Sequence, residues 1–133
     1  MNLFNPRALM LGMAIGLGMG LMGCGGSPSG PTGSGPNPGD PNVITITSTG
    51  VSPKTLTVSP GTQITILNKD SRDHEMTSDP HPTHENCPAL NQIGFLKPNQ
   101  FRQSGNLVIL ETCGFHDHLQ DFKQSLRGTI TVQ

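Results

Sequence analysis

Val58-Ser59-Pro60-Gly61-Thr62-Gln63-Ile64-Thr65-Ile66-Leu67-Asn68 is the stretch from which the architecture can be read. Its Pro-Gly pair marks a tight turn, and the run behind it alternates isoleucine with polar residues before stopping at Asn68. That is one turn feeding one half-buried strand, because side chains on a strand alternate between two faces. The pattern repeats on both sides. Val43-Ile44-Thr45-Ile46-Thr47-Ser48 and Thr55-Leu56-Thr57-Val58 precede it, while Leu107-Val108-Ile109-Leu110-Glu111-Thr112 and Gly128-Thr129-Ile130-Thr131-Val132 follow. Lys97-Pro98-Asn99 reads as a further turn. These segments are rich in Val, Ile and Thr, and none carries a long apolar period of 3.6. Residues 43–133 are therefore expected to form one small all-β domain, a sandwich or small barrel. The chain has no Trp and no Tyr, and its formal net charge is −1 without a basic run. No nucleic-acid partner is expected on that charge balance.

The N-terminal part reads differently. Residues 1–7 carry one positive charge, and residues 8–22 are a Leu/Met/Ala/Gly run too short and glycine-rich for a membrane span, as in a secretory signal. The run ends in Leu21-Met22-Gly23-Cys24, which resembles the lipobox of bacterial lipoproteins. That resemblance implies a signal peptide over residues 1–23, cleavage before Cys24 and acylation of its thiol and new amino terminus. Because Gly25 rather than Asp follows, it also implies the outer membrane of a double-membrane bacterium, with the domain facing the periplasm. Residues 24–42 hold the acylated Cys and then Gly, Pro, Ser, Thr, Asn and one Asp, a composition expected to be a disordered tether spanning on the order of 25 Å. Contact with membrane is thus expected through the lipid anchor only.

All five histidines, His74, His81, His84, His116 and His118, fall in one stretch of the C-terminal half, interleaved with Cys87 and Cys113. Imidazole and thiolate are the ligands that copper, zinc and related ions select. The cluster points to a metal site.

The order of these features resembles the cupredoxin pattern of plastocyanin and azurin. In that pattern a strand entered through Pro-Gly, here residues 58–68, ends in an Asn-rich turn before the first histidine ligand, here His74. Leu96-Lys97-Pro98-Asn99-Gln100 resembles the later turn, and Cys113-Gly114-Phe115-His116 with its closing strand resembles the C-terminal ligand loop. The resemblance spans residues 43–133 and implies a Greek-key β-sandwich holding copper. It assigns His74, Cys113 and His116 as equatorial ligands and a one-electron carrier as the role, with a redox protein as partner. A loop leaving a buried strand can present a Cys and a nearby His to one point, which such a site needs.

Three features depart from that pattern. No Met follows His116 at the axial place, so Gln120, Met76 or no residue would take it. The insertion over residues 77–92 carries His81, His84 and Cys87, and His118 forms a His-x-His pair with His116. These departures keep a rival open. Two cysteines left after lipidation, in an oxidising compartment, most simply form a disulfide between Cys87 and Cys113, leaving copper to imidazoles drawn from the five histidines. The role would then be copper capture or delivery, with a copper donor or acceptor as partner. His81 and His84 are secondary metal candidates, as ligands or as plain surface residues, and with Cys87 they could instead hold zinc. Asp117 could orient an imidazole. An enzymatic role is a second alternative, as a small copper oxidoreductase resembling superoxide dismutase in the His116-x-His118 pair. No catalytic Ser/His/Asp arrangement is present.

Overall fold

The computed structural model describes residues 35–121 and 123–133. The segment expected to be a signal peptide, Cys24 and most of the expected tether lie outside them. Among the described residues nine strands follow one another: β1 (Val43–Thr47), β2 (Gly50–Ser52), β3 (Thr55–Val58), β4 (Thr65–Asn68), β5 (His74–Ser78), β6 (Gly94–Leu96), β7 (Phe101–Gln103), β8 (Thr112–Asp117) and β9 (Gly128–Val132). They make two sheets, one in the order β2-β1-β4-β7 and one in the order β3-β9-β8-β5-β6. Both are mixed, since β1 runs parallel to β4 and β3 parallel to β9. No helix among the described residues is long and apolar enough to cross a membrane.

The Pro60-Gly61 turn has the geometry its residues dictate. Thr62 N–H donates to the Ser59 carbonyl at 3.1 Å, and Gly61 takes a φ of 87°, the conformation required at the third position of a type II turn with proline at the second. From this turn the chain enters β4, whose Ile66 packs inward with Ile44 and Ile46 of β1. The facing sheet supplies Met76, Phe115 and Ile130, so the core is the space between the sheets. Each fully buried aliphatic or aromatic side chain of this kind contributes about 1.5–3 kcal/mol.

Two expectations need correction. Residues 107–112 do not form a strand: only Leu107 bridges to Thr62, the chain then bends, and pairing resumes at Thr112. Val108, Ile109 and Leu110 consequently stand 64%, 61% and 70% exposed. An apolar run cannot distinguish a buried strand from an exposed loop, since only tertiary packing decides. The end of the tether is also more ordered than its composition implied. Asp40 accepts a hydrogen bond from Asn37 N–H at 2.7 Å through its side chain, and Thr65 N–H donates to the Asn42 carbonyl, so a turn precedes β1.

A disulfide joins Cys87, which ends the long insertion after β5, to Cys113 on β8. The two cysteines are 26 residues apart in sequence. Cross-linking a loop of this size restricts the unfolded chain by about 3 kcal/mol. Replacing both with serine should lower the free energy of unfolding by about that amount in a denaturant titration.

Candidate metal centre

Strand β8 divides the chemistry of the site between two faces. Cys113, Phe115 and Asp117 point into the core, and His116, one residue out of step, points to the outer face of the five-stranded sheet. Across the ladder Met76 pairs with Asp117 and Thr77 with His116, so β5 is divided the same way, with His74, Met76 and Ser78 inward. The three residues proposed by resemblance, His74, Cys113 and His116, therefore do not converge. The Cys113 sulfur is bonded to Cys87, and His116 lies across the sheet from both Cys113 and His74.

His74 is fully buried between two carboxylates. Its Nδ1 lies 2.7 Å from Asp117 Oδ2 and its Nε2 lies 3.1 Å from Asp70 Oδ2, so an ion could reach this ring only by displacing a carboxylate. Asp117 is itself held: its Oδ1 accepts from Glu75 N–H at 3.0 Å and from Leu119 N–H at 3.1 Å. Gln120 completes this group. It donates to Asp117 Oδ2 through Nε2 at 3.3 Å and accepts from Arg72 through Oε1 at 3.3 Å. Met76 is buried in the core beside this group. Burial alone would raise the pKa of Asp70, but hydrogen bonds from Arg72, the Ser71 backbone and His74 outweigh it and hold the carboxyl at about 2, below its ordinary 3.8.

The remaining four histidines meet on the outer face. His81, His84, His116 and His118 each offer a ligand atom within 4.8 Å of the others'. Their ring centroids are close: 5.0 Å for His84 to His116, 5.0 Å for His84 to His118 and 5.1 Å for His81 to His118. Two segments supply them. His116 and His118 come from the end of β8, and His81 and His84 come from the insertion after β5. That insertion is pinned over the sheet by the Cys87–Cys113 disulfide, by Asp79 N–H donating to the Gly114 carbonyl at 2.9 Å, and by Asn91 Nδ2 donating to the His84 carbonyl at 2.6 Å.

Two of these rings are locked in the orientation a metal requires. His84 Nδ1 lies 2.9 Å from the Ser78 carbonyl, which can only accept, so Nδ1 carries a proton and, in the neutral ring, Nε2 is the nitrogen with the lone pair. That Nε2 is buried and has no hydrogen-bond partner. Such an orphan acceptor is costly unless something electron-poor meets it. His116 is held similarly, with Nδ1 2.6 Å from Asp79 Oδ1, leaving Nε2 to weaker neighbours, Thr77 Oγ1 at 3.4 Å and Asp121 Oδ1 at 3.7 Å. Metal-binding imidazoles typically donate their second nitrogen to a carbonyl or carboxylate in this way. His81 and His118 are exposed, so the cluster is open to solvent on one side. The donor set thus fits a metal ion that takes imidazole nitrogen.

Sequence reasoning found all four of these histidines but set His81 and His84 apart as secondary. It missed Asp70, Asp79 and Asp121, whose roles exist only because the sheet brings distant segments together. Asp117 does orient an imidazole, but that of His74 rather than of its chain neighbours. The proximity of Asp79 to His116 depends on Gly114, where a Cβ would collide with the Asp79 carboxylate. Arg127 ties the same region, donating to Asp121 Oδ1 at 2.6 Å and lying 4.0 Å from Asp79 Oδ1.

Comparison with known proteins places the fold. No family model matches the chain, and no curated protein matches it. Among solved structures, a purple cupredoxin from Nitrosopumilus maritimus is similar over 68% of this chain and 98% of its own, with 18% identity and a TM-score of 0.53. An oxidized plastocyanin from Dryopteris crassirhizoma covers 68% of this chain and 99% of its own at 16% identity, TM-score 0.53. An amicyanin variant in its Cu(I) form covers 68% and 80% at 19% identity, TM-score 0.51. The described domain therefore has the cupredoxin fold, an all-β sandwich.

Two measurements follow from this geometry. The Asp70 carboxyl has a lowered folded-state pKa, so its stabilising effect is complete above about 4 and is lost as pH falls toward about 2. Asp70→Asn should flatten the acid limb of stability between those values relative to the wild type. Separately, Asp79→Asn should leave the fold intact and weaken metal binding by about 10–100-fold, the usual cost of removing a carboxylate behind a metal-binding imidazole. A metal titration of the Asp79→Asn domain checks it.

Proposed function

We propose that this chain is a copper-binding protein of the bacterial envelope that holds its ion with His81, His84, His116 and His118, and that its role is copper capture or delivery. The observation that carries the reading is the buried, unpartnered Nε2 of His84, set among three other imidazoles with its own Nδ1 fixed by a carbonyl. A four-imidazole set suits copper, zinc or nickel, and among divalent ions copper binds such sites most tightly. The solved structures of the same fold include a Cu(I) amicyanin, which favours copper here. Bound copper would supply a Cu(I)/Cu(II) couple. The protein's own contribution is to fix two rings against the outer face of the sheet and leave two exposed, an arrangement suited to taking up and passing on an ion. The disulfide and the lipobox-like Leu21-Met22-Gly23-Cys24 favour an oxidising compartment and a lipid anchor at Cys24, with the domain tethered in the periplasm.

One-electron carriage is the second reading. It is favoured by the likeness to plastocyanin and amicyanin and by the rigid placing of His84 and His116. A redox protein would then be the partner, in place of a copper donor or acceptor.

Copper titration of the purified domain tests both. One Cu(II) should bind, and His84→Ala or His116→Ala should weaken it by more than about 100-fold, beyond the loss expected for an outer partner. His74→Ala should destabilise the fold and leave copper affinity unchanged. The Cu(II) form should be pale, since no thiolate is available. Intense visible absorption that disappears in Cys113→Ser would overturn the four-imidazole site. A reversible couple by voltammetry would favour carriage, and transfer of copper to an acceptor protein would favour delivery.

A further inference from the structure

Three adjacent aliphatic residues stand in solvent at one end of the sandwich. Val108, Ile109 and Leu110 are 64%, 61% and 70% exposed, more than any other large hydrophobic residue described. They are the tip of the bend between the Thr62–Leu107 bridge and the start of β8. A mostly apolar cavity of about 190 Å³ lies under Val108 and Ile109, which line it together with Ala89, Leu107, Val132 and, on its polar side, Glu111. The tip is thus an apolar projection on a mostly apolar base. Contiguous exposed apolar surface of this kind marks contact with a partner or a membrane.

We propose that Val108, Ile109 and Leu110 insert into the lipid surface to which the chain is tethered, setting the orientation of the domain above it. The inference rests on the lipid-anchor reading of Cys24 and is argued from reach. Gly35 lies against the Phe101 ring, and Phe101 pairs with Leu67 on β4. Five residues along the same chain segment, Thr62 bridges to Leu107 at the base of the tip. At strand spacing that is about 17 Å. Gly35 lies eleven residue steps beyond Cys24. Extended at about 3.5 Å per step, that length of chain spans nearly 40 Å, so the tip can reach the bilayer proposed to hold Cys24.

The tether also lowers what the tip must contribute. A segment held within tens of ångströms of a surface meets it at an effective concentration near the millimolar range, so weak insertion suffices to orient a domain already anchored. The consequence concerns the metal centre. Along β8, the tip precedes Thr112 and His116 comes four residues later, about 13 Å farther from the tip at strand spacing. With the tip in lipid, the metal centre stands off from the inserted residues by that distance, and the exposed His81 and His118 remain accessible to a soluble partner in the periplasm.

The absence of Trp allows a direct test. Ile109→Trp is made in the full chain, purified from membranes and reconstituted into phosphatidylethanolamine/phosphatidylglycerol vesicles. Phe95→Trp, on the edge strand β6, serves as control. The first variant should show blue-shifted emission and strong quenching by lipids brominated close to the headgroup, as for a side chain buried about 5–10 Å into the interface. The control should show neither. Acylation is read independently, from the mass of the peptide containing Cys24. An acylated Ile109→Trp protein whose emission is unshifted and unquenched overturns the insertion while leaving the anchor in place. If Cys24 proves unmodified, the anchor reading fails, and quenching of Ile109→Trp with excess added vesicles still supports the tip, whereas no quenching overturns it. A blue shift that grows with protein concentration and is the same without vesicles assigns the tip to a second copy of the chain and likewise overturns the proposal.

Discussion

Everything in this site depends on the alternation of β8. A strand cannot aim two successive side chains at the same face, and β8 places Asp117 inside and His116 outside at the end of the five-stranded sheet. The inner face becomes a carboxylate–imidazole–carboxylate group, Asp117–His74–Asp70, closed by Arg72 and Gln120. The outer face receives an imidazole with an available lone pair. Two histidines that lie near each other in the fold thus take unlike roles because they stand on opposite sides of one sheet.

The outer face would remain an isolated histidine without the insertion after β5. Residues 79–87 fold back over β8 and deliver His81 and His84, and the Cys87–Cys113 disulfide fixes the end of that insertion to the strand that carries His116. Both sulfurs are buried. The covalent link is therefore protected, and it holds the segment that carries His81 and His84 against the strand that carries His116. Preorganisation of this kind matters because four ligand side chains brought together on binding would each lose rotamer freedom. The hydrogen bonds from His84 to Ser78 and from His116 to Asp79 remove much of that loss beforehand.

Much of the fold was legible in the sequence, and the reasons are local. Pro60-Gly61 dictates its turn, and the Val/Ile/Thr alternation of residues 43–47, 55–58, 65–68 and 128–132 dictates strands, because backbone conformation and one buried face suffice. Short strands with mixed composition, such as β5 and β8, were not legible: His74-Glu75-Met76-Thr77-Ser78 has no β-branched alternation, and its place in the sheet comes from its neighbours. For the site, histidine clustering pointed to a metal and four of the five did gather. The Cys113-to-His116 spacing misled for a physical reason. A spacing of three brings two side chains together in a loop, but in a strand it sends them to opposite faces. Nothing in the local sequence states which of the two the chain adopts.

Charge explains why the two histidine environments are not interchangeable. His74 is surrounded by two carboxylates that are themselves neutralised and bonded, by Arg72 at 2.8 Å and by backbone N–H groups, so the inner group is complete as it stands. The outer group is not complete. Four imidazoles bring no compensating charge to a divalent ion, and no thiolate is available to supply it. Asp79 and Asp121 stand beside His116, linked through Arg127, and carry the negative charge such an ion would leave unbalanced. Asp79 stands behind the His116 ring, on Nδ1, while Asp121 lies on the Nε2 side and is held by Arg127; a ligand set of four imidazoles would be neutral and nitrogen-only, a donor character that favours copper or zinc over calcium and magnesium, which take oxygen. On this fold, which an amicyanin in its Cu(I) form shares, copper held by the proposed four imidazoles would sit on the outer face of the sheet in a site built without sulfur.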